Sequence, residues 1–279
     1  MADIWDRLQK VEAVDPPRIV IYGPPKKGKT TLASEFPSPV FLQVEDGTPS
    51  GLTLASFGKL DSYADVMAAI GALYEKEHAY KTVVIDSLDK LEPMVWAALC
   101  AEKNWESIES PGYGKGYVEA DAYWRDLTGG LLALRSERGM TIIMICHSEV
   151  GRFDDPTTVS YSQYDMRLHK RAKALICDDA DAILLIKEEA TIREDAQGPG
   201  KKGEKRAIAE GVNRFIFTEG RPAFLAGNRY NMPAKIRYDK GKGYSALAPY
   251  LPAQPEPAAP VEPNLAKPDR LKETIKKAV

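Results

Sequence analysis

The sequence predicts a three-layer α/β fold around a mainly parallel central sheet, and three features predict it. Short continuous apolar runs occupy residues 18–22, 40–44, 82–85, 141–146 and 182–186. Runs of this length without polar alternation suit strands buried on both faces of a parallel sheet. Segments of helical periodicity separate most of them, and a glycine-rich phosphate-binding pattern lies where the first strand meets the first helix.

The elements follow in order. Ile4, Leu8 and Val11 sit at helical spacing, so residues 2–13 read as a short amphipathic helix that Pro16-Pro17 ends. Helices are expected at 30–36, at 63–76 with Val66, Ile70 and Leu73 on one face, at 88–103 with Leu91, Val95, Ala98 and Leu99, and at 118–138 with Leu127, Leu131 and Leu134. Two connections stand out. Residues 104–117 are too glycine-rich for a helix interior, and residues 148–173 are long, polar and aromatic. Structureless connections of this length in a compact domain are usually functional or mobile. Residues 197–205, rich in Gly and Lys, read as a hairpin tip. The organisation is an N-terminal helical segment (1–17), one core (18–250) and a disordered proline-rich tail (251–279) whose end, 269–278, could form a short basic helix.

Composition narrows the possible functions. A chain of 279 residues with 44% hydrophobic and 28% charged residues holds enough apolar material for a substantial core. A net charge of −2 excludes a polycation, so any nucleic-acid site must be a local basic patch. Cys100, Cys146 and Cys177 are odd in number and far apart, offering neither a disulfide framework nor zinc-ligand spacing. Cys146, inside an apolar run, is expected to be a buried thiol. The N-terminus lacks a signal peptide's apolar core, and no apolar run approaches the roughly 20 residues that span a bilayer. A cytoplasmic protein that does not enter membranes is expected.

Gly23, Pro24, Pro25, Lys26, Lys27, Gly28, Lys29 and Thr30, continued by Thr31, form the pattern G-x-x-x-x-G-K-T between a strand and a helix. Its glycines let backbone N–H groups hold phosphate oxygens, and the positive end of the following helix favours the anion. Lys29 would reach the β- and γ-phosphates of ATP, and the Thr30 hydroxyl would ligate Mg²⁺. Lys26 and Lys27 occupy variable positions and are expected to supply surface charge. Asp86 ends an apolar strand, at a separation from the loop that leaves room for one intervening strand, and would hold Mg²⁺ through water. Glu45 ends another strand, expected at the next sheet position after the loop's helix, where a carboxylate could polarise the attacking water. Asp46-Gly47 beside it reads equally well as a turn. His147 ends the fourth strand and is either a sensor of the γ-phosphate or a hydrogen-bonded structural residue.

Together these residues resemble the RecA-type recombinase core, and in particular the compact phage-encoded RecA-like ATPases found with single-strand annealing systems. The resemblance spans roughly 18–233 and implies Glu45 as the catalytic glutamate and His147 as the phosphate sensor, where bacterial RecA has glutamine. Residues 226–233 resemble the family segment K-N-K-x-x-x-P, whose basic residues reach a neighbouring subunit's γ-phosphate. Gly227 replaces the first of these, which leaves Arg229 as an arginine finger in trans and implies a homo-oligomer with ATP between subunits.

The resemblance also makes the two long connections DNA-binding loops. Arg167, Lys170, Arg171 and Lys173, with His169, crowd into seven residues behind Tyr161 and Tyr164, and Tyr113, Lys115 and Tyr117 repeat the pairing in the first connection. Cations neutralise phosphates while aromatic rings stack on unpaired bases, a combination suited to single-stranded DNA. Asp154, Asp155 and Asp165 count against it, and the plainer alternative is a solvated basic helix after a tyrosine-rich loop. The leading expectation is a DNA-dependent ATPase of recombination or annealing, its tail a docking segment for a partner such as a single-strand-binding protein. The rivals are another P-loop enzyme, either a small-molecule kinase or an AAA+ loader-like ATPase, and a protein that binds ATP without hydrolysing it. A kinase should carry a lid with several arginines, and residues 193–205 make a poor one.

Overall fold

The computed structural model describes residues 15–154, 159–194 and 205–253, with Trp5 and Leu8. Apart from Trp5 and Leu8, the expected helix over 2–13 lies outside the described residues, as do the expected hairpin tip up to residue 204 and most of the tail.

Five parallel strands carry the site: β1 (Arg18–Gly23), β2 (Pro39–Gln43), β4 (Thr82–Asp86), β5 (Thr141–Phe153) and β7 (Ala182–Glu194). With β3 (Ala55–Lys59), β8 (Lys205–Phe217) and β10 (Lys235–Arg237) they run in the order β10-β8-β7-β1-β5-β4-β2-β3, and the short β9 (Gly227–Asn228) pairs with β7 off this path. Pairing is parallel from β7 across to β3, and antiparallel where β8 and β10 extend the other edge.

Alternation along each strand feeds two cores, because successive side chains point to opposite faces. Val20 and Tyr22 pack with α2 (Tyr63–Glu75), α3 (Leu88–Lys103), α4 (Lys115–Arg138) and α5 (Lys170–Asp179). Ile19 and Ile21 pack against Leu32, Ala33 and Leu247 of α1 (Lys29–Ser34) and α6 (Gly243–Leu247). The result is the expected three layers.

Two expectations on topology need correction. The strand before Glu45 does not follow β1 in the sheet: β2 stands three places away, with β5 and β4 between them. The strand separating β1 from β4 is therefore β5, drawn from later in the chain. The connection 148–173 is also not structureless. Strand β5 continues to Phe153, and β6 (Tyr161–Met166) pairs back on it, with Ser148 opposite Met166. Apolar periodicity could not reveal this hairpin, since most of its residues lie on the surface and little hydrophobic burial patterns them. A basic helix, α5, follows it, so that part of the plainer alternative is what the fold contains.

Candidate functional site

The strands β1 and β4 end at one edge of the sheet, in register with β5, which runs on past His147 into the hairpin instead of ending there. Gly23 lies opposite His147, and Asp86 pairs with both Gln43 and Ile145. Four of the candidate residues thus converge because of strand order: Lys29 and Thr30 through the loop after β1, Asp86 at the end of β4, and His147 in β5.

The loop leaves β1 under tight constraint. A side chain on Gly23 would place its Cβ 2.3 Å from the carbonyl oxygen of Ile186, and Gly28, at φ +93°, adopts the left-handed conformation that glycine tolerates. Lys29 is buried, and its Nζ donates to the carbonyls of Gly23 and Pro24, both at 3.0 Å. Burial lowers its pKa, while Asp86 and Asp89 oppose the shift. Thr31 is buried and Lys26 exposed. Lys27 departs from the surface role expected of it: its ammonium is held by Glu188 of β7, with two-thirds of the side chain covered.

The Thr30 hydroxyl donates to the Asp86 carboxylate at 2.8 Å. Burial raises the Asp86 pKa, Thr30 works against that, and the Glu45 charge adds to it. A hydroxyl and a carboxylate side by side are the hard oxygen donors that Mg²⁺ takes alongside waters and phosphate oxygens. Among the described residues there is no group of three His, Cys, Asp or Glu that could hold a metal ion. Bound there, Mg²⁺ would neutralise charge on the β- and γ-phosphates; Thr30 and Asp86 would hold it.

Glu45 stands on the same edge, half-buried, just past Val44, whose N–H donates to the Asp86 carbonyl at 2.9 Å. It lies close enough to act electrostatically on both Asp86 and Lys29. Asp46 is exposed and pairs with Lys59 at 3.8 Å, as a turn residue would.

His147 is bound to a residue that the motifs did not single out. Asp89, in the first turn of α3, is buried and accepts from the His147 backbone N–H at 2.9 Å. It also lies 3.1 Å from His147 Nδ1 and accepts from Arg167 Nη2 at 2.6 Å. Burial opposes its charge, yet these bonds hold the Asp89 carboxyl well below its ordinary value. The only sequence signal was its place, three residues beyond the strand-ending Asp86 and in the first turn of the helix that follows.

The chain matches the family model described as an AAA domain over residues 15–230. It belongs to that family. No curated protein matches it. Membership in an AAA-type P-loop ATPase family accords with the edge just described, and fixes the general activity as nucleotide binding and hydrolysis. ATP, usually with Mg²⁺, is the ligand of such domains. Among the described residues no helix is long and apolar enough to cross a membrane.

The remaining candidates are dispersed. Arg229 lies at the opposite edge of the sheet: its N–H donates to the Asp181 carbonyl, and its Nη1 is 3.2 Å from the Asp181 carboxylate. It cannot reach its own chain's loop across a strand of roughly 20 Å. Arg167, Arg171 and Lys173 are paired with Asp89, Asp121 and Asp165 respectively, whereas Lys170 is exposed. Tyr113 is fully exposed, Lys115 opens α4, and the Tyr117 ring stacks on His169 with centroids 4.0 Å apart. Cys146 is buried, as expected of it.

Proposed function

We propose that this AAA-family ATPase acts in DNA recombination or single-strand annealing, with ATP bound between subunits of a homo-oligomer and single-stranded DNA held by the segments 104–117 and 148–173. The observation that carries this reading is the Asp89 carboxylate shared by His147 and Arg167. His147 stands at the nucleotide edge, opposite Gly23, while Arg167 is where the chain returns from the β5–β6 hairpin. A γ-phosphate that attracts His147 would change what holds Arg167, so nucleotide state and hairpin position are joined through one buried group.

The hairpin supplies surface of the right chemistry. Val150, Phe153 and Val159 are exposed large apolar side chains, and Arg152 is an exposed cation. Tyr113 and Lys170 add a fully exposed ring and an exposed ammonium. In this reading Lys29 stabilises the transferring phosphoryl group and Glu45 polarises the water that attacks it. Arg229 completes the neighbouring subunit's site, which suits its place on the far edge and its 63% exposed side chain. The tail would dock a single-strand-binding protein.

The internal pairing of Arg167, Arg171 and Lys173 favours the second reading, a loader-like ATPase without strand activity. ATP turnover with and without single-stranded DNA, at two salt concentrations, separates the two. Stimulation that weakens with salt is expected for a DNA-dependent enzyme. No stimulation at low salt sinks the first reading and leaves the second.

A further inference from the structure

Arg214 belongs to none of the motifs, yet its guanidinium is pressed against the phosphate loop. It lies in β8, directly opposite Glu188 of β7. Its Nη1 is 2.8 Å from where a Cβ on Gly28 would stand, and the Tyr238 ring flanks the same point at 3.2 Å. The space that Gly28 leaves empty is filled by a cation and an aromatic edge. Gly28 is part of the backbone cradle that holds nucleotide phosphate in a loop of this pattern.

The hydrogen bonds of Arg214 are unusually incomplete. A guanidinium carries five N–H donors and cannot shed its proton. The bond from Nη2 to Glu188 is long, at 3.5 Å, and Nε is buried without a hydrogen-bond partner among the described residues. The other Glu188 oxygen is taken by Lys27 of the loop itself. Tyr238 contributes its ring face, 5.6 Å from Arg214 Cζ, but its hydroxyl donates to the Gly28 carbonyl at 3.3 Å. A buried donor left unbonded is destabilising. An anion bound on the loop would supply the guanidinium with further acceptors.

We infer that Arg214 is a phosphate-binding residue acting in cis, turning from Glu188 to the phosphates of a nucleotide seated on the Gly28 cradle. Glu188 is the counter-anion that holds Arg214 and Lys27 until the nucleotide arrives. Planar guanidinium and phosphate can then pair through two parallel hydrogen bonds. This places a cation contributed by the chain's own β8 strand beside Lys29, independently of any cation supplied by a neighbour.

The test measures affinity for MgADP and MgATP by titration calorimetry on the full chain. R214Q is expected to weaken both about tenfold or more. E188Q frees Arg214 and is expected to keep or tighten binding. An R214Q affinity within twofold of wild type overturns the inference. So does a loss in E188Q equal to that in R214Q, because the ion pairs would then merely prop the loop. E188Q keeps the test decisive should R214Q not fold. K29A is the control for the nucleotide site itself: unchanged binding there would discredit the loop, whereas a failure confined to R214Q discredits only the role of Arg214.

Discussion

The two edges of the parallel sheet both carry ion clusters, and the clusters differ in how completely they are satisfied. At the amino edge, Asp181 is nearly saturated. It accepts from the Arg18 backbone N–H at 2.9 Å and from two nitrogens of the Arg18 side chain, and it pairs with Arg135 and Arg229. At the carboxyl edge, Lys29 rests on backbone carbonyls, Thr30 and Asp86 satisfy one another, and Arg214 Nε has no partner among the described residues. A structural cluster closes on itself; a binding edge keeps donors that a ligand can claim. Arg229 lies between these cases, anchored to Asp181 yet largely exposed.

The comparison can be broken from its strongest side first. K29A should lower ATP turnover by about 10³-fold, since a preorganised cation on the transferring phosphoryl group is lost. Phosphate release under saturating ATP checks this, and stability to urea should hardly change. The converse holds at the other edge. D181A strands Arg18 and Arg135 in a poorly solvated site and should cost about 3 kcal/mol of unfolding free energy by urea titration, with nucleotide affinity intact. Loss of nucleotide binding without loss of stability would invert the assignment of the two edges.

Arg229 is separated from its structural neighbours by mixing. R229A should slow turnover roughly 10²-fold, and an equal mixture with K29A should recover part of it, because some interfaces then pair an intact loop with an intact arginine. A mixture no better than either variant alone argues against a shared site. The smallest effect concerns Glu92, buried in α3 beneath the His169 N–H. Burial, aided by the charges of Asp89 and Glu149, raises its pKa from 4.5 to about 7. A folded-state value above the unfolded one means stability present below pH 4.5 is lost as pH rises through about 7. The gain in Tm of E92Q over wild type should therefore be larger at pH 8 than at pH 5. Equal gains would show that Glu92 does not titrate in that interval.

Much of the fold was legible because burial writes it locally. The runs around Val20, Val84 and Ile143 are apolar on both faces since each strand feeds two cores, and that pattern survives in the sequence. The hairpin made by β5 and β6 was not legible, because its register aligns residues such as Gly151 and Gln163, which carry no apolar signature. Strand β3 went unread for the same reason, being exposed along most of its length.

By itself the sequence determined the phosphate loop, its lysine and threonine, and Asp86 at the end of its strand, because these depend on short-range spacing between a strand and the residues that end or follow it. His147 stood out by the same pattern, although β5 runs on past it to Phe153. Only the tertiary structure decided which strands stand side by side. Inserting β5 between β1 and β4 brings His147 opposite Gly23 and within reach of Asp89, and pairing β7 with β8 sets Arg214 beside Gly28. Those neighbours come from distant parts of the chain. Their contacts follow from the order in which buried strands satisfy one another's backbone hydrogen bonds, which no local pattern encodes.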